Sequence, residues 1–153
     1  MASSGKIYIG TSGWMYKSWA KSFYPEDWPA RRHLEFYCSK FPTVEINATF
    51  YRLPREKTFE NWQEQSCPGF LYAVKGSQAV THFKRLKPGA KSFRLLLKRA
   101  TRLGSGLGPF LWQLPPTDAF GHVDSKVFPT MVTPVSVRLE SGILSLVDLR
   151  SDG

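Results

Sequence analysis

Long hydrophobic runs are missing from this chain. No apolar stretch approaches the roughly 20 residues that a bilayer-spanning helix needs, so membrane classes built on such helices are set aside. The opening segment, Met1-Ala2-Ser3-Ser4-Gly5-Lys6, lacks the apolar core of a signal peptide. The expected setting is therefore soluble, intracellular and cytoplasmic, with no membrane partner. Cysteine is scarce as well. Cys38 and Cys67 have no C-x-x-C spacing and no neighbouring His in sequence. The expectation is two small packing residues in a reduced compartment rather than a disulfide, a zinc site or a nucleophile. A G-x-x-x-x-G-K-[ST] phosphate loop is absent. The glycine segment Leu103 to Gly108 follows a helical stretch and precedes a strand, the reverse of a dinucleotide-binding turn. Neither motif assigns nucleotide binding. Asn47-Ala48-Thr49 matches the glycosylation acceptor pattern, but it sits at a strand end in a chain without a secretion signal, and is read as chance.

Acids are outnumbered too, with 12 Asp and Glu against 21 Lys and Arg and a formal charge of +9. The imbalance is local. Residues 1–116 hold 18 basic and 7 acidic residues, whereas residues 117–153 hold 3 and 5. An apolar content of 42%, with five Trp, six Tyr and eleven Phe, argues against disorder, and 153 residues suit one domain.

Four short apolar strands, each ending in a polar cluster, give the chain its organisation. They are Ile7 to Trp14, Val44 to Asn47, Leu71 to Ser77 and Phe110 to Leu114. Helical or loop stretches separate them, and alternation of this kind predicts a parallel α/β sheet. An aromatic loop from Trp14 to Trp28 precedes a helix opened by Pro29 and running to about Lys40. Leu34, Tyr37, Cys38 and Phe41 share one face of it. Pro54 starts a second helix anchored by Phe59 and Trp62, and Ser66-Cys67-Pro68-Gly69 stops it. A third, from about Ala90 to Leu103, buries Phe93, Leu96, Leu97 and Ala100.

Several segments together resemble the domain-of-unknown-function 72 family, also called YecE-like proteins. They are Ile9-Gly10-Thr11-Ser12-Gly13-Trp14, Phe23-Tyr24-Pro25, Val44 to Tyr51, Ala73-Val74-Lys75, His82, and Leu107-Gly108-Pro109 through Gln113-Leu114-Pro115-Pro116. The resemblance covers about residues 6–116. It implies a TIM-barrel-like fold and no particular reaction. Family members are longer, and nothing after Pro116 resembles their second half. The expected fold class is thus α/β, a partial TIM-barrel-like (β/α) fold of about four parallel strands with intervening helices, truncated before the second half of the barrel. Residues 1–116 would form that half, and 117–153 an unmatched tail of frameshifted or alternatively spliced origin. An eight-stranded barrel takes about 200 residues or more. Open strand edges expose backbone donors and acceptors. Poor stability or self-association through those edges is expected, unless the alternating stretches Met131 to Leu139 and Gly142 to Leu149 cover one.

Side chains alternate along a strand, and ligands gather at the carboxyl ends of parallel strands. Val44, Ile46, Tyr72, Val74, Ile7, Ile9, Trp112 and Leu114 suit the helix side. That leaves Ser12, Glu45, Asn47, Lys75 and Gln113 converging inside. Glu45 would act as general base or metal ligand and Lys75 as an electrostatic clamp, the two pairing in the interior. Asn47 and Gln113 would orient a small polar or anionic ligand. The alternative is a hydrogen-bonded polar layer that only holds the sheet together. His82 could join the rim as acid, base or ligand, while His33 and His122 have no partner in sequence. Trp14, Tyr16, Phe50 and Tyr51 could wall the pocket and stack on a ring-shaped ligand, or simply pack over the barrel mouth. No metal site and no cofactor is assigned, and with half the rim missing little or no catalysis is expected.

Lys84, Arg85, Lys87, Lys91, Arg94, Lys98, Arg99 and Arg102 form a basic run with no acid among them. A nucleic-acid or other polyanion surface on the third helix is the competing functional reading. The solvated face of an amphipathic helix explains the same spacing. A non-functional truncated product is the remaining alternative.

Overall fold

The computed structural model describes residues 7–83, 91–113, 135–136 and 145–147. Strands β1 (Ile7–Ser12), β2 (Thr43–Ile46), β3 (Leu71–Lys75) and β4 (Leu107–Leu111) lie side by side and parallel. Helices intervene: α1 (His33–Cys38), α2 (Ala48–Tyr51), α3 (Glu56–Gln65) and α4 (Lys91–Ala100). Two short strands extend the sheet. β5 (Val135–Ser136) pairs parallel with β4, and β6 (Ser145–Val147) pairs antiparallel with β1. The order is β5-β4-β3-β2-β1-β6, an open sheet rather than a closed barrel. Parts of both tail stretches therefore lie against edges of the four-stranded core sheet. The rest of residues 117–153 falls outside the described residues.

The alternation expected in β2 and β3 is present. Val44, Ile46, Tyr72 and Val74, joined by Phe110 and Trp112, are buried on the helix side against Leu34, Tyr37, Phe59, Leu96, Ala100 and Leu103. Full burial of such a side chain is worth about 1.5–3 kcal/mol, so this layer is the main source of stability. Ile7 and Ile9 differ: both are largely exposed. Strand β4 begins at Leu107 rather than Phe110, because Leu107 already pairs with Tyr72. The second helix follows the reading closely, with Phe59 fully buried and Trp62 packed against the core. Glu56 in its first turn complements the helix dipole.

The cysteine expectation is corrected. Cys38 and Cys67 form a disulfide, and no free cysteine remains. Cys38 ends α1 and Cys67 follows α3, and packing of these segments brings their Cα atoms to 5.7 Å, within disulfide range. A separation of 29 residues in sequence hides that proximity. Closing a loop of this length constrains the unfolded chain by about 3–4 kcal/mol. Dithiothreitol should accordingly lower the unfolding midpoint in urea, and an unchanged midpoint would show that the bridge carries no stability. Among the described residues, no helix is long and apolar enough to cross a membrane.

Candidate functional site

Register decides which side chains meet. Ser12 pairs with Glu45 and Glu45 with Ala73, so Ser12, Glu45 and Lys75 share the face opposite the helix-packed core. Lys75 lies at the carboxyl end of β3, and Asn47 immediately follows β2. The Lys75 ammonium lies 3.2 Å from Glu45 Oε1 and donates to Asn47 Oδ1 at 3.0 Å. Asn47 Nδ2 in turn donates to Ser12 Oγ at 2.5 Å. Three strands thus deliver one continuous chain of polar groups, Ser12–Asn47–Lys75–Glu45.

Glu45 is fully buried, and the Lys75 side chain keeps 13% of its surface exposed. The ammonium is within ion-pair range of Oε1 but off the hydrogen-bond direction. Neither carboxylate oxygen has a hydrogen-bond partner among the described residues. A buried carboxylate held by Coulomb attraction alone is costly in structural terms.

Thr49 and Phe50 complete the surroundings. Thr49, fully buried, donates from Oγ1 toward Ile46 O at 2.9 Å and Lys75 O at 2.6 Å, tying α2 to the ends of both strands. The Lys75 ammonium stands over the Phe50 ring, 5.4 Å from its centroid. His82 meets the same ring edge-on at 5.2 Å. Its Nδ1 lies 2.8 Å from the Oγ1 of buried Thr81, which fixes the imidazole at the rim. Tyr51 packs perpendicular to Phe50 at 5.0 Å yet is 74% exposed. Thr49 and Thr81 were not among the expected site residues. The fold alone brings the Thr49 hydroxyl to the Lys75 carbonyl, 26 residues away, whereas Thr81 contacts the imidazole of the next residue in sequence.

Two expected members do not join. Gln113 is exposed beyond the end of β4, so the predicted fifth polar group is absent from the cluster, and inward Leu111 stands opposite Lys75 instead. Trp14 lies in the core rather than with the polar cluster, edge-on against Trp62 of α3 at 5.5 Å. There the packing alternative holds. Trp14 O also accepts a hydrogen bond from Tyr24 OH. Burial, assisted by the nearby Tyr37 phenol, pushes the Tyr24 hydroxyl up to about 12. Tyr16 bonds through its hydroxyl to Ser12 O and packs on Trp19 at 4.9 Å. His33, without a sequence partner, stacks on Tyr24 at 3.7 Å. Among the described residues, no group of three or more His, Cys, Asp or Glu side chains is placed to hold a metal ion.

The basic run divides. Lys84, Arg85 and Lys87 lie outside the described residues. Arg99 donates to the carbonyls of Pro54 at 2.7 Å and Leu53 at 3.4 Å. Arg102 pairs with Glu56 at 3.0 Å and Glu60 at 3.7 Å on α3. Lys91, Arg94 and Lys98 are exposed.

Comparison with known proteins agrees with this architecture. The family described as "Protein of unknown function DUF72" matches residues 8–152, and so extends beyond Pro116. UPF0759 protein YunF of Bacillus subtilis (strain 168) is 34% identical over 79 residues, covering 52% of this chain and 27% of that protein. A crystal structure of a DUF72 family protein from Thermotoga maritima MSB8 superposes with a TM-score of 0.59 at 29% identity, covering 71% of this chain and 44% of the other. A second, from Enterococcus faecalis V583, gives 0.52 at 17% identity over 72% of this chain and 40% of the other, a likeness of fold alone. The matched regions span less than half the length of each of these relatives. Four parallel strands alternating with helices form the corresponding part of a TIM-barrel-like fold. The chain belongs to the DUF72 family of proteins of unknown function.

Proposed function

We propose that the carboxyl ends of β1, β2 and β3 bind a small anionic or polar ligand, with Lys75 as the group that holds it. The observation carrying this reading is the partly exposed Lys75 side chain beside a buried Glu45 carboxylate that has no hydrogen-bond partner among the described residues. An ammonium has three donors. Asn47 takes one and Glu45 offsets the charge, which leaves donor capacity toward the rim. Ser12 and Asn47 orient the ligand, and His82 supplies a second polar group beside Phe50. No reaction is assigned. A polyanion surface on α4 has less support, because Arg99 and Arg102 are engaged by α3 and the loop before it.

The test is calorimetric titration of the purified chain with inorganic phosphate and with citrate. Saturable binding of either is expected. The paired substitution E45Q/K75M, which removes both buried charges together, should weaken it about tenfold or more, the worth of one charge-assisted hydrogen bond. Binding unaltered by that pair would discard the reading.

A further inference from the structure

We propose that the ligand is nucleotide-like, a planar heterocycle joined to an oxyanion, with the oxyanion on Lys75 and the ring stacked on Tyr51. The inference rests on the proposed anion site and adds the chemistry of the rest of the molecule.

Tyr51 is the key. It closes α2, directly after Phe50, and leaves 74% of its surface in water although Phe50 is held against the polar cluster. A single exposed aromatic is unremarkable on most surfaces. This one is fixed by perpendicular contact at 87° to a ring that also carries a cation and an imidazole. From the Lys75 ammonium to the Tyr51 ring centre is therefore about 10 Å at most, by way of Phe50. His82, edge-on against the same Phe50 ring, is pinned at Nδ1 by Thr81, so its other ring nitrogen is the one available to a ligand. A cation, a polar group and an exposed aromatic ring gathered around Phe50 suit phosphate, sugar and base. Stacking on an exposed tyrosine needs no base-specific hydrogen bond and favours any planar heterocycle. A polymer is less suited, since α3 and its preceding loop engage Arg99 and Arg102.

Adenosine 5′-monophosphate, ribose 5-phosphate and adenosine separate the two halves of the ligand in one set of titrations. The monophosphate should bind about tenfold more tightly than ribose 5-phosphate, the gain of one stacked ring. Tyr51→Ala, a substitution at an exposed position, should remove that difference while leaving ribose 5-phosphate within about twofold. Equal affinities for the monophosphate and ribose 5-phosphate, both lost in E45Q/K75M, would overturn this inference and leave the anion site standing. Retention of the difference in Tyr51→Ala would overturn it as well. Failure of all three compounds to bind would remove both.

Discussion

Lys75→Met alone should destabilise the chain by about 3–5 kcal/mol, because it strands a fully buried carboxylate without its counter-charge. Adding Glu45→Gln should recover most of that loss. The two neutral side chains approximate the volume of the original pair, and a buried ion pair replaced as a unit is often close to neutral in stability. Urea unfolding of the two single variants and the double variant measures the difference. A single-variant loss below about 1 kcal/mol is the value of an exposed pair and would contradict burial.

Gly10→Ala is expected to be the other severe change. A Cβ at this position would lie 2.0 Å from the Thr43 carbonyl oxygen and 2.8 Å from its carbon. Both atoms belong to the backbone of β2, and Gly10 is paired with Thr43 in the sheet. The neighbour cannot swing aside as a flexible side chain would. The strands must separate, at a cost of about 3 kcal/mol or more for overpacking of this kind. Ser12 lies two residues farther along β1, so the displacement would also break its contact with Asn47 and weaken phosphate binding. Gly69→Ala is the contrasting case. Nothing lies within 4 Å of its Cβ position, but φ is +78°, and the strain should cost only about 1 kcal/mol. Equal losses in the two variants, read from unfolding midpoints, would contradict the close approach of β1 and β2.

Much of this arrangement was legible in the residues. Period-two alternation in Val44-Glu45-Ile46 and Tyr72-Ala73-Val74-Lys75 separates a helix-packed face from a polar one, and Glu45 and Lys75 meet accordingly. What stayed hidden depends on distance between segments. The disulfide joins the ends of two helices that no local pattern relates. Trp14 follows a strand end, as a pocket wall would, yet the glycine before it has φ +87°, and the tryptophan packs on α3. Gln113 has the right parity but lies past the last residue of β4, where alternation no longer fixes direction. Exposed Ile7 and Ile9 show the converse limit: an apolar strand face need not be covered by a helix.

The central claim is that anions are received at the carboxyl ends of β1–β3, and amide and side-chain NMR shifts under phosphate titration test it most directly. Saturable changes confined to Ser12, Asn47, Phe50, Lys75 and His82 are the predicted result. Changes centred on Lys91, Arg94 and Lys98, or shifts that grow linearly without saturating, would contradict it.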